Sequence, residues 1–350
     1  SGLGTYTFAN GDIAHGIWKK GKLIERIEIG KKKAKKKETK VAKKKEDKIV
    51  EKEPTQTEID TNAAAKTGLA PAFMVAIEQN FPDDLRIIQD DLTARMLPFY
   101  LRLFVGLTRI TAIRDWVVRT MDKQVRGIWS GLLRRKCYIR DKLTLSITEP
   151  NSFGAVVNLG AGYDALLYRL TALENIPAWE VDQSTNIKSK RKGLSRALGQ
   201  LPKHVSLVPI NFVTQELSTV LREYGYRASS KTFFIWEAVS QYLTEEAIRK
   251  TFDFLSHSPS GSRMAFTYVL KDFIDGKNMH GEVNFFETIV EKEKLWHFGF
   301  NPDEVADFLD EYGWRFIEDV GYEELNERYV VPTGRNLPFM TIERVAVSYT

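Results

Sequence analysis

The chain has little that could crosslink it or hold a metal. Its 350 residues include a single cysteine, Cys137, and five histidines, so no internal disulfide can form and no Cys/His cluster stands at metal-ligand spacing. Long apolar runs are missing too. The most apolar stretch, MLPFYLRLFVGLTRI (96–110), carries Arg102 and Arg109 and is too short for a bilayer, so it reads as a buried or partly buried helix. No charged, apolar and cleavage-site succession opens the sequence, so nothing in it indicates secretion. A reducing, cytoplasmic setting is expected.

An excess of positive charge is present, but it is local. Between Lys31 and Lys52 twelve lysines face Glu38, Glu46, Asp47 and Glu51, a balance of +8, whereas the whole chain is +5 and everything else therefore sums to −3. Such a run reads first as a solvated linker. Attraction to an anionic membrane, a partner or a nuclear import receptor through residues 1–52 is the alternative, and no pattern specific for nucleic acid accompanies it.

Three compositional regimes follow one another: residues 1–29, rich in glycine and aromatics; 30–66, a Lys/Glu-rich linker too polar to order itself; and 67–350, globular in composition. In the first, Tyr6, Phe8, Ile13 and Trp18 alternate with Gly4, Gly11, Gly16 and Gly21, which suggests a β-hairpin with glycines at the turns. The runs Gly4–Phe8, Asn10–Asp12 and Gly16–Gly21 resemble one MORN repeat. A single repeat buries too little apolar surface to stand alone, so a fragment of a longer array is expected, with a plain hairpin as the alternative.

Helical periodicity runs from about 70 to 148. Strands are then expected at 155–159, 178–181, 206–210, 232–236 and 263–269, with helical stretches such as TEEAIRKTFDFLSHS and NPDEVADFLDEYG between or after them. That alternation suits a parallel sheet covered on both faces. Two last strands, 314–321 and 344–350, are separated by only about twenty residues, a connection suited to an antiparallel pair at a sheet edge.

In an open parallel sheet ligands sit beyond the carboxyl ends of the strands. The first strand ends in Gly160-Ala161-Gly162, where absent side chains allow a tight turn and a close ligand. Asp182 lies 22 residues after Gly160, a separation that suits a carboxylate accepting from a ribose diol. Asn211, with Phe212, follows the third strand and Glu237 the fourth. GAGYDA also satisfies a dinucleotide fingerprint, so an NAD-dependent oxidoreductase remains a rival. The terminal strand pair and the helices before the first strand favour a methyltransferase.

From about 75 to 350 the sequence resembles the leucine carboxyl methyltransferase and polyketide O-methyltransferase group of class I S-adenosylmethionine-dependent methyltransferases. The resemblance is carried by DDLTARMLP (90–98), RKCYIRD (135–141), VVNLGAGYDALLYRL (156–170), WEVDQSTNIKSK (179–190), FFIWEAVSQYL (233–243), VADFLDEYGWRFIEDVG (305–321) and ERYVVPTGR (327–335). It implies a Rossmann-like α/β sheet of seven strands preceded by a helical segment, with S-adenosyl-L-methionine as cofactor. It further implies that Arg135 binds the methionine carboxylate, that the 160–162 turn passes beneath the methionine and ribose, that Asp182 holds the ribose, and that Glu237 faces the amino end. Asn211 stands where the family usually has Asp, and Leu166 where many relatives carry Arg.

Tyr242, five residues after Glu237, is the expected substrate-facing catalytic group, with a core aromatic as its alternative. Asp164 is expected to cap the next helix, Lys190 to match a family lysine or stay solvated, and Trp179 and Trp236 to be core. His204, His257, His280 and His297 show no pairing. No metal is expected. The activity expected is O-methylation of a carboxylate or hydroxyl on a small molecule, with a protein C-terminal carboxylate next. The non-enzymatic alternative is a scaffold acting through residues 1–52.

Overall fold

The computed structural model describes residues 68–149, 153–212 and 214–350 in full and, before them, only the strand backbones β1 (Gly2–Thr7), β2 (Ile13–Lys19) and β3 (Lys22–Arg26). The chain divides into two compact units, Ser1–Lys52 and Glu53–Thr350.

In the first unit β1 and β2 pair antiparallel as the glycine-aromatic alternation suggests, and β3 adds a third strand that the hairpin reading omits. Gly4 and Gly16 are not turn residues: they face each other across the β1–β2 ladder. The Lys/Glu-rich linker lies outside the described residues.

The second unit is built on seven strands: β4 (Ala155–Leu159), β5 (Ala178–Asp182), β6 (Val205–Pro209), β7 (Thr232–Trp236), β8 (Arg263–Val269), β9 (Arg315–Val320) and β10 (Glu343–Tyr349). Their order is β6-β5-β4-β7-β8-β10-β9. β4, β5 and β7 are buried along their whole length, as strands covered on both faces must be, and β-branched and aromatic residues fill them. β10 runs antiparallel to both neighbours, slotted between β8 and edge strand β9. This is a seven-stranded, mainly parallel α/β sheet of the kind the family resemblance implies, and the edge pair matches the expectation from the short final connection.

The segment before β4 is helical, chiefly Leu69–Glu78, Phe99–Leu107, Thr111–Gln124 and Ile128–Thr148. The 21-residue helix Ile128–Thr148 starts at Gly127, whose φ of 69° and closeness to the backbone of Phe339 and Met340 leave no room for a Cβ. Its Arg134 donates to the carbonyls of Met340 and Tyr322, fastening the helix to the segment leading into β10. The apolar stretch at 96–110 is buried on one side only. Val105 is buried and Leu101 and Phe104 pack on the core, but Phe99, Tyr100, Leu103, Leu107 and Ile110 are each more than half exposed. Among the described residues no helix is long and apolar enough to cross a membrane.

Lys190 is not a solvated helix charge. It is completely buried, 2.7 Å from the equally buried Glu180, whose carboxylate also accepts from the Tyr168 hydroxyl at 2.7 Å. Trp179 and Trp236 are core residues. His280 is paired after all, its ring 2.9 Å from Asp272.

Burial raises the Glu180 pKa, and Lys190 opposes that rise. Lys190→Met strands the carboxylate and should cost about 3–5 kcal/mol, read from urea midpoints at pH 7.5. With its folded pKa raised further, Glu180 holds a proton that the unfolded chain has released, so the deficit should shrink as pH falls toward 5. A deficit independent of pH would assign the loss to packing.

Candidate functional site

The turn after β4 is shaped by its glycines. Gly160 and Gly162 have φ of 70° and 45°, values that side chains resist, and a Cβ on Gly160 would lie 2.2 Å from Val239 Cγ2. The amides of Gly160 and Ala161 donate to Val181 O at 2.8 and 3.1 Å, which pins the turn against β5. Beyond β7, Ala238 also has a positive φ, 56°, with its N–H donating to Thr267 Oγ1 at 2.7 Å. Strain of this kind costs of order 1–3 kcal/mol and collects at functional sites. Here it lies immediately after Glu237.

These two turns border a cavity of about 330 Å³, within the size range of small-molecule sites. One end is charged. Arg135 donates from Nε to Glu237 at 2.9 Å and from Nη1 to both oxygens of Glu343 at 2.7 and 2.8 Å. Lys136 reaches Asp164 and the other Glu237 oxygen, both at 3.0 Å. Burial opposes charge on Arg135, but Glu343 and Glu237 together outweigh it, and its pKa lies above the ordinary guanidinium range. Burial likewise works against Lys136, and Asp164 and Glu237 raise it regardless. Asp164 shows the converse, with Lys136 and Lys190 overcoming burial to hold its carboxyl low. These five side chains, two cations and three carboxylates, form one ion-paired cluster; Asp90, Arg140 and Arg169 line the cavity too, so that cationic and anionic side chains balance around it.

The other end is apolar. Met121, Ile128, Ile289 and Met340 line it together with Tyr242, Phe285 and Trp296, and the Tyr242 and Trp296 rings meet edge-on at 6.3 Å.

Arg135, Gly160, Ala161, Gly162, Glu237 and Tyr242 are thus brought together around one space. Asp182 sits behind the turn: its carboxylate accepts from Gly162 N at 2.6 Å, Gln183 N at 2.7 Å and Asn186 Nδ2 at 2.8 Å, and it is outside the cavity lining. Asn211 and Phe212 follow β6, also outside that lining. Asn211 is exposed and accepts from Thr214 N at 3.3 Å, whereas Phe212 packs on the core. Asp164 accepts from Leu166 N at 2.8 Å as a capping residue does, yet it also carries the Lys136 ion pair.

Sequence reasoning misses Lys136 and Glu343. Glu343 opens β10 beside Arg344, ahead of the apolar run Val345–Val347, and nothing local in that pattern singles it out.

A scan against family models matches residues 68–256, more than half of the chain, to the leucine carboxyl methyltransferase family. The chain belongs to this family. Curated relatives agree. "Putative S-adenosyl-L-methionine-dependent methyltransferase YktD" of Bacillus subtilis is 28% identical over 54% of this chain and 63% of its own length. Relatives of the same description from Mycolicibacterium gilvum and Mycolicibacterium vanbaalenii are 32% and 29% identical, over 45% and 69% of this chain and 54% and 77% of theirs. The chain therefore spans less than two thirds of the length of the first two. The family is one of S-adenosylmethionine-dependent methyltransferases, which displaces the oxidoreductase alternative.

Cys137 lies next to this machinery in sequence but outside its chemistry. It is fully buried, donates to Ile87 O, and burial pushes its thiol up to about 12. A disulfide reagent such as Ellman's should titrate no thiol in the native protein and one after guanidinium unfolding; rapid native labelling would contradict the buried placement.

Proposed function

We propose that this family member moves a methyl group from S-adenosyl-L-methionine to an oxygen of a small-molecule acceptor. The observation carrying the reading is the cavity lining: buried, ion-paired acids and cations beside the glycine turn, together with apolar and aromatic side chains.

The residues present fit the donor chemically. S-adenosylmethionine carries an ammonium, a sulfonium and a carboxylate, and the lining offers both carboxylates and a guanidinium to meet them. Arg135 Nη2 takes part in none of the ion pairs above and suits the carboxylate. Glu237 suits the ammonium, and the 160–162 turn leaves room for a sugar. Asp182, already accepting from the turn, braces it and offers its remaining lone pairs to ribose hydroxyls. Asn211 can accept through its amide oxygen from an adenine amino group, with Phe212 beside it.

When bound, the sulfonium supplies an activated methyl group that needs no metal and leaves as a neutral thioether. The chain's own work is alignment and exclusion of water. The buried ion pairs hold the donor end rigid, while Tyr242, Trp296 and Phe285 form a wall that fixes the acceptor's ring or chain. Tyr242 is the group placed to meet the acceptor oxygen through a hydrogen bond, and the proton that a hydroxyl acceptor gives up passes to solvent. The lysine run at 31–52 supports a second, separate proposal of contact with anionic surfaces, carried by sequence alone.

Isothermal titration tests the donor site. S-adenosylmethionine should bind and NADH should not. Arg135→Ala and Glu237→Ala should each weaken binding by roughly 10–100-fold, the loss expected for a hydrogen bond to a charged group, with melting curves checking that each variant remains folded. Preference for NADH, or unchanged affinity in both folded variants, would remove the proposal.

A further inference from the structure

Helix Phe99–Leu107 turns an apolar face to solvent. At about 3.6 residues per turn, Phe99, Leu103 and Leu107 fall on one side with Tyr100 beside them. Val105 is buried on the opposite side, whereas those four, and Ile110 just beyond the helix, are each more than half exposed. A contiguous stripe of large apolar side chains marks a contact surface, unlike apolar residues scattered singly. The charge around it has one sign: no acid occurs from Leu92 to Arg114, and Arg102 and Arg109 are exposed.

A basic helix lies against the start of this one. Helix Ser184–Leu198 packs closely on the segment that leads into Phe99: a Cβ on Gly193 would lie 2.5 Å from Met96 O, Arg196 donates to Leu97 O at 2.6 Å, and Arg95 donates to Ala197 O. Tyr163 links the two helices. Burial raises its phenol pKa, a hydrogen bond with Ser189 opposes that rise, and the nearby Tyr100 and Arg196 both act on it. An exposed residue of each helix is therefore near the same phenol. Lys188, Arg191, Lys192 and Arg196 are all exposed, no acid occurs between Asp182 and Glu216, and among the described residues Lys190 is this helix's one ion-paired cation.

We propose that this face, the apolar side of Phe99–Leu107 together with the cations of Ser184–Leu198, docks on an anionic lipid bilayer. The aromatic and aliphatic side chains enter the headgroup boundary while the neighbouring lysines and arginines meet lipid phosphates and carboxylates, as in helices that lie on a membrane without crossing it. The charge pattern selects this occupant. A second copy of the same face would set cations against cations, and a nucleic acid gives the aliphatic Leu103, Leu107 and Ile110 nothing to pair with. The surface is formed by residues other than the lysine run at 31–52. Because Tyr163 also lines the cavity, docking brings the cavity close to the bilayer.

The test uses the full chain with Leu103→Cys carrying the polarity-sensitive fluorophore NBD, Cys137 being buried. Phosphatidylserine-rich vesicles should raise the emission several-fold and shift it to the blue, and pure phosphatidylcholine vesicles should do so far less. Adding Phe99→Gln and Leu107→Gln should remove the rise. Lys188→Gln, Arg191→Gln and Lys192→Gln together should weaken vesicle affinity roughly tenfold or more. All these positions are exposed, and melting curves check that each variant remains folded. The label separates this surface from the lysine run, since a chain held only through residues 31–52 would sediment with vesicles while position 103 stayed in water. That outcome, an equal response to uncharged vesicles, unaltered affinity in the triple-glutamine variant, or a response to poly(U) with none to vesicles would each overturn the proposal.

Discussion

Arg135 shares its guanidinium between two carboxylates in a nearly dry space, and much of the second unit is arranged so that it can. Taking such charges out of water costs several kcal/mol apiece, and only close, well-directed partners return it. Arg135 and Lys136 come from the long helix, Asp164 from the glycine turn, Glu237 from the end of β7 and Glu343 from the start of β10. Each element must be correctly placed before the cluster is neutral enough to be buried. Adjacent Arg134 makes the contrast clear: it spends its hydrogen bonds on backbone carbonyls and serves the packing of the helix, while its neighbour serves the cavity.

The sheet supplies the stiffness that this arrangement needs. β4 and β7 lie side by side, so the two turns at their carboxyl ends face the same space. Both turns use backbone conformations that ordinary residues avoid, at Gly160, Gly162 and Ala238. The turns bounding the cavity are pinned to the buried sheet by hydrogen bonds from Gly160, Ala161 and Ala238, and pinning of this kind lowers the ordering cost of binding.

The parallel strands are legible because strands covered on both faces must be apolar runs with polar ends, and β4 to β8 fall within a residue of where those runs lie. The place of β10 between β8 and β9 is not legible: a local pattern tells that a strand exists, but its neighbours are chosen by long-range pairing. The same limit explains the site. Arg135, the glycine turn and Glu237 carry local motifs, whereas Glu343 acquires its meaning from an arginine 208 residues away. Lys190 can be read as a family lysine or as a solvated charge until Glu180 is seen beneath it. Helix Phe99–Leu107 is partly buried, one of the two states its sequence allowed, since an apolar count does not say whether a partner covers every apolar side.

The joining of Gly127 and Arg134 to the 339–340 backbone, and of Arg135 to Glu343, has a bearing on biosynthesis. Residues near the start of the folded unit wait for residues near its finish, so during translation the long helix emerges with its cations uncompensated and the sheet lacks the strand that joins β8 to β9. Early helices and the first parallel strands can gather while the ribosome is still working. The cavity wall is complete only once β10 has emerged and paired, and until then the nascent chain offers an open sheet edge of the kind that chaperones shield.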